Sequence, residues 1–81
     1  MVMAFVMIRV GTGEYMSWIP TVKEKVEELP EVSEAYCVFG RCDVHAKVKV
    51  NSWKELTNLV GDKIRAIKGV TTTETLVAYE E

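Results

Sequence analysis

Apolar and polar positions change period several times along the chain, and each change marks an element. From Met3 to Val10 both alternating sets are apolar, with Met3, Phe5 and Met7 on one side and Ala4, Val6 and Ile8 on the other. A strand that is apolar on both faces is a strand with both faces covered. Gly11-Thr12-Gly13 ends it. Trp18, Val22, Val26 and Leu29 then recur at helical spacing. Ser17 is placed to cap that helix, Pro20 falls in its first turn and Pro30 stops it. Lys23, Glu24, Lys25, Glu27 and Glu28 form its outer face.

Val32 to Gly40 reads as a second strand, with Ala35, Cys37 and Phe39 alternating against Tyr36 and Val38. Gly40-Arg41-Cys42-Asp43 is a tight connection. A third strand follows at Val44 to Val50, where Val44, Ala46, Val48 and Val50 alternate with His45, Lys47 and Lys49. Ser52 and Glu55 have capping-box spacing and open a second helix. Leu56, Val60, Ile64 and Ile67 form its buried stripe, with Leu59 beside it. Gly61 lies inside that helix at a cost of about 1 kcal/mol relative to Ala. Gly69 stands where a helix C-terminus takes a left-handed residue. Val70 to Tyr79 is the fourth strand, threonine-rich from Thr71 to Thr75.

The order β-α-β-β-α-β is the ferredoxin-like arrangement of the α+β class. Right-handed crossovers place both helices on one face of a four-stranded antiparallel sheet. The other face is left bare, yet strand one is apolar there too. An exposed apolar face of several hundred Å² is unusual on a monomer. A homodimer, face to face or edge to edge, is the simple resolution. If Lys47 and Lys49 fall on that face, they must snorkel or find acidic partners.

With 81 residues the chain is one domain, residues 1–81. An apolar share of 48% and a charged share of 27% exclude disorder and low complexity. The net charge of −2 gives no whole-molecule attraction for nucleic acid. No apolar run approaches the ~18 residues of a membrane span. Met1 to Ile8 lacks the positive leader and cleavage site of a signal peptide, so the expected compartment is the cytoplasm.

Chemistry-bearing residues are sparse. Cys37 and Cys42 match no zinc or redox spacing, and with the single His45 they complete no metal site. No metal and no cofactor is expected. The carboxylates lie mostly on predicted helix faces, and His45 has no partner nucleophile, so no catalytic residue is assigned. Gly11-Thr12-Gly13 lacks the ending of a phosphate loop. The Lys/Arg-Gly-aromatic motif of RNA-binding sheets is absent from strand three. Two local features remain. Backbone amides in the Gly40–Asp43 turn, with the Asp43 carboxylate, could hold a small zwitterion. The turn could equally be an ordinary one in which Asp43 satisfies its own backbone. The Thr71–Thr75 run could supply hydroxyls or simply favour a strand.

Three stretches together resemble one family: Leu29-Pro30-Glu31-Val32; Val38-Phe39-Gly40-Arg41-Cys42-Asp43-Val44; and Ile67-Lys68-Gly69-Val70 followed by Thr73-Glu74-Thr75. They are similar to the effector-binding domain of the Lrp/AsnC feast/famine regulators, the RAM domain. Each piece is weak, but their order and spacing, from Ala4 to Tyr79, are fairly specific. The chain starts directly at strand one and so looks like a stand-alone form without the helix-turn-helix. The resemblance implies a dimeric α/β barrel-type association through the sheet and rings of dimers, commonly octamers. It also implies that free amino acids bind at the contact between dimers. The family's effector loop falls on Gly40, Arg41, Cys42 and Asp43, and its polar strand-four positions on Thr73 and Thr75. Many members carry an aromatic residue where this chain has Cys42.

The reading is therefore a non-enzymatic amino-acid-binding and oligomerisation module that modulates transcription through ligand-dependent assembly. Full-length regulators of the family are possible partners, and no direct DNA binding is expected. The alternatives are a small dimeric enzyme of the cofactor-poor oxygenase or isomerase type, with a deep pocket inside each subunit, and a ligand-free assembly module.

Overall fold

The computed structural model describes residues 1–11 and 18–78. Four strands form one antiparallel sheet: β1 (Val2–Val10), β2 (Val32–Cys37), β3 (Val44–Val50) and β4 (Val70–Val77), in the order β2-β3-β1-β4. Helix α1 (Ile19–Glu27) connects β1 to β2. Helix α2 (Trp53–Asn58) runs on into a π-helical segment, Leu59–Ile64, before β4. This is the expected ferredoxin-like β-α-β-β-α-β order, with β1 and β3 central and both helices over one face.

The core follows from period-two burial on the central strands. Ala4, Val6, Ile8 and Val10 of β1 and Val44, Ala46, Val48 and Val50 of β3 are all buried. The two sets lie opposite one another in register: Ile8 pairs with Val44, Val6 with Ala46 and Ala4 with Val48. Val22 and Val26 of α1, Leu56 of α2 and Leu59 and Ile64 of the π segment cover them. Fully burying a Val or Leu side chain contributes about 1.5–3 kcal/mol, so this zipper is the main source of stability.

Three boundaries differ from the sequence expectation. Strand β2 ends at Cys37 rather than Gly40, and Cys37 and Phe39 are exposed rather than continuing the Ala35 face. An edge strand has a partner on one side only, and here the pairing with β3 stops at Cys37–Val44. The second helix does not keep the stripe Leu56, Val60, Ile64. Its wide turn, in which the Arg65 amide donates to the Val60 carbonyl, shifts the phase, so Leu59 is buried and Val60 only half-buried. Strand β4 is bulged against β1: Arg9 pairs with Thr72 and Val10 with Val70. Thr71 is the extra residue, and its hydroxyl donates to the Arg9 carbonyl at 2.9 Å. The Ser17 cap, Thr12, Gly13 and Tyr79 lie outside the described residues.

Local signals elsewhere hold. Ser52 Oγ accepts from the Glu55 amide at 3.2 Å, while the Glu55 carboxylate takes the Asn51 amide, one residue before the cap. Pro20 occupies the first turn of α1. Gly69 has a φ of +104°, and a Cβ there would lie 3.2 Å from Val22 Cγ2 and 3.3 Å from the Trp18 ring.

Two glycines therefore predict opposite outcomes. Gly69→Ala must strain the backbone and press on α1, lowering unfolding stability by about 1–3 kcal/mol. Gly61 has open space around its Cβ position and ordinary φ, so Gly61→Ala should raise stability by up to about 1 kcal/mol. Urea unfolding measures both.

A second prediction concerns the ion pair between Lys63 of the π segment and Glu31 at the start of β2, at 2.6 Å. The Lys63 ammonium, hydrogen-bonded to Glu31, holds that carboxyl below its ordinary value against the opposing effect of burial. A lowered carboxyl stabilises the fold above its unfolded value, about 4.3, and loses that contribution as pH falls through the folded value. Glu31→Gln should be less stable than the parent at pH 7 by at most about 1 kcal/mol, since Lys63 is largely solvated. The difference should shrink toward zero as pH falls below about 4.

Candidate functional site

The helix-free face of the sheet carries the other half of the alternation. Met3, Phe5 and Met7 of β1 are half-buried there. Phe5 lies between Lys47 and Leu76, and Met7 between His45 and Glu74. His45 stacks on Phe5, with ring centroids 5.7 Å apart. Lys47 finds the acidic partner it needs in Glu34 at 3.7 Å, whereas Lys49 is exposed. The Tyr36 hydroxyl donates to Glu34 at 2.6 Å, and that hydrogen bond chiefly lowers the Glu34 carboxyl. Leu76 and Tyr36 are about half exposed. The face is thus an apolar centre bounded by charged rows.

At one end of this face the Gly40–Asp43 turn closes over β1. Asp43 ties it down three times. Its Oδ2 accepts from the Val10 amide at 2.8 Å, its amide donates to the Ile8 carbonyl at 2.9 Å, and its carbonyl accepts from the Val38 amide at 3.0 Å. The β1–β3 pairing ends at Ile8–Val44, so the carboxylate stands where the next ladder acceptor for β1 belongs. Gly40 takes the left-handed region, with φ +125°, which lets the chain reverse there. The Arg9 guanidinium donates to the Arg41 carbonyl and fastens the outer side of the turn.

The turn and β4 wall a cavity of about 220 Å³ lined by Met7, Arg9, Arg41, Cys42, Thr72, Thr73 and Glu74. Of the residues expected from sequence, Arg41, Cys42 and Thr73 are brought together here. Gly40 and Asp43 belong to the turn but do not line the cavity, and Thr75 lines a separate apolar groove between α2 and β4, with Trp53, Leu56, Val60 and Val77. Arg9, Thr72 and Glu74 were missed. The β1–β4 bulge sets Arg9 opposite Thr72, and nothing in the sequence marks a bulge. Cys42 is buried. Burial pushes its thiol up, the Asp43 carboxylate adds to this, and Arg9 opposes it. It is therefore a packed thiol rather than a nucleophile.

Among the described residues no polar or charged side chain is buried, and no group of three or more His, Cys, Asp and Glu side chains could hold a metal. Among them no helix is long and apolar enough to cross a membrane.

Comparison with known proteins agrees with this geometry. Residues 3–81 match the family model described as the Lrp/AsnC ligand binding domain. The chain is 32% identical over 79 residues to the HTH-type transcriptional regulator FL11 of Pyrococcus furiosus, covering 98% of this chain and 49% of that protein. It is 34% identical over 61 residues to regulatory protein AsnC of Escherichia coli K12, covering 75% and 40%. The chain spans about half the length of these curated relatives or less. The crystal structure of TTHA0845 from Thermus thermophilus superposes with a TM-score of 0.89 at 36% identity, covering 100% of this chain and 96% of that one. The E. coli AsnC structure superposes with a TM-score of 0.88 at 30% identity, covering 99% and 52%. Sequence and fold converge: this chain belongs to the Lrp/AsnC ligand-binding-domain family.

Proposed function

We propose that this domain binds a free amino acid in the cavity beneath the Gly40–Asp43 turn and couples that binding to its own assembly. One observation carries the reading. The turn that walls the cavity also holds out Phe39, whose side chain is fully exposed at the tip. A rigid aromatic at a turn tip is the kind of anchor on which interfaces are built. A ligand under the turn and a neighbour against Phe39 bear on the same few residues, so each biases the other.

Assembly in this reading has two levels. The sheet face of Met3, Phe5, Met7 and Leu76 meets a second copy and forms the dimer, because apolar surface of that extent gains most when covered. Dimers then join through the turns into a ring, the octamer being the expected form. Arg41, Cys42 and Thr73 contact the ligand, while Gly40 and Asp43 shape and hold the turn. The Asp43 carboxylate already carries the Val10 amide, which makes it the positioning group. The setting is the cytoplasm, and an effect on transcription passes through full-length regulators sharing these interfaces. With net charge −2 this stretch of chain has no strong affinity for duplex DNA of its own.

The levels separate by mutation. In sedimentation at micromolar concentration the parent protein should be larger than 9.2 kDa. Phe5→Glu places a charge in the face-to-face contact and should yield monomers. Phe39→Ser should keep the dimer and lose only the larger species. A parent protein that sediments as a 9.2 kDa monomer contradicts the assembly reading.

Titration calorimetry with each of the twenty amino acids tests the ligand. At least one should bind, and Asp43→Ala should weaken it ~10-fold or more while the fold survives, since truncating a fixed charged acceptor frees the turn. Unchanged affinity in Asp43→Ala overturns the role given to the turn.

A further inference from the structure

Three charged residues line the cavity beneath the turn: Arg9, Arg41 and Glu74. Among the described residues none of the three makes a salt bridge, although Lys23, Lys47 and Lys63 each have a carboxylate partner. Arg9 commits an N–H to the Arg41 carbonyl, and an arginine has five, so most of its donors stay available. That bond also fixes where the guanidinium sits. Met7, Thr72 and Thr73 line the same cavity. Two positive residues and one negative, without a salt bridge among the described residues, line a cavity of about 220 Å³ and give it a net charge of its own to satisfy.

Resting on the amino-acid reading above, we propose that the ligand selected here is a dicarboxylic amino acid, aspartate or glutamate. Such a molecule carries two carboxylates and one ammonium, the complement of two guanidiniums and one carboxylate. Each guanidinium offers a planar fork that matches a carboxylate in bidentate fashion. Glu74 receives the ammonium, and the threonine hydroxyls fill the remaining acceptor positions. A neutral amino acid leaves one arginine without a partner, and a basic one brings a second cation toward both. A cavity of this size is below that of drug-sized ligands and suits a single amino acid. The β-bulge is what makes the arrangement, because it sets Arg9 and Thr72 opposite each other beside the turn.

Calorimetry on the whole 81-residue chain, at low salt, compares L-glutamate and L-aspartate with their amides, with L-leucine and with glutarate. The acid should bind about tenfold tighter than its amide, the scale of one charge-assisted contact. Arg9→Gln and Arg41→Gln should each remove roughly that tenfold preference, and Lys54→Gln on the outer face of α2 should not. Glu74→Gln should weaken glutamate and leave glutarate binding as tightly as before or more tightly. On the parent protein alone, glutarate binding as tightly as glutamate removes Glu74 from the recognition of the ammonium. Glutamine or leucine binding more tightly than glutamate overturns the acidic selection and leaves the amino-acid reading standing. Failure of all twenty amino acids overturns that reading itself.

Discussion

Strand β1 sits in the middle of the sheet and is apolar on both faces, while the two helices cover only one. Most of what is specific to this molecule follows from that imbalance. The covered side is satisfied in full, because Ala4, Val6, Ile8 and Val10 interlock with the alternate residues of β3 beneath α1 and the second helix. The uncovered side holds Met3, Phe5 and Met7 at partial exposure beside His45, Lys47 and Leu76. Residues so placed gain little from the monomer fold, and in the proposed assembly a second copy covers them. The cross-strand pair Lys47–Glu34 and the Tyr36–Glu34 hydrogen bond set a polar border to that surface and give it a register.

The same strand ends under the Gly40–Asp43 turn, and there stability and the proposed recognition meet. Asp43 extends the ladder of β1 by one acceptor after the backbone pairing has stopped. The bulge against β4 leaves Arg9 and Thr72 beside that turn, with Thr71 satisfying the Arg9 carbonyl. A charged cavity is thus built from three separate stretches of chain at the rim of an apolar face. The separation of roles is physical. The buried valines hold the fold, while the half-buried face carries the proposed association and the exposed guanidiniums at the rim the proposed recognition of a small anion.

Reading the sequence recovered what depends on periodicity. The alternation at Val44–Val50 and in β1 specified the core residues, and Ser52, Pro20 and Gly69 marked helix ends through local chemistry. The resemblance grouped Gly40, Arg41, Cys42, Asp43 and Thr73, of which Arg41, Cys42 and Thr73 line one cavity while Gly40 and Asp43 form the turn beside it. It also grouped Thr75 with them, yet Thr75 pairs with Val6, further along β4 from the turn, and lines the groove beside α2, while the cavity reaches no further than Glu74. What escaped has no local signal. The bulge that recruits Arg9 depends on a pairing between residues about sixty positions apart, as the Thr71–Arg9 bond does. The π segment leaves Val60 half-buried at the margin of the core while Leu59 and Ile64 are fully buried, a phase shift that the helical spacing alone does not announce. The end of β2 is set by where its one partner strand stops.

In the proposed function amino-acid binding and assembly form one equilibrium, which linkage makes testable from either side. Sedimentation velocity across a titration of the bound amino acid, repeated at several protein concentrations, reads it most directly. The account predicts that the weight-average sedimentation coefficient changes with ligand, and that the ligand concentration at the midpoint moves with protein concentration. Saturating ligand with an unchanged distribution of species would contradict it.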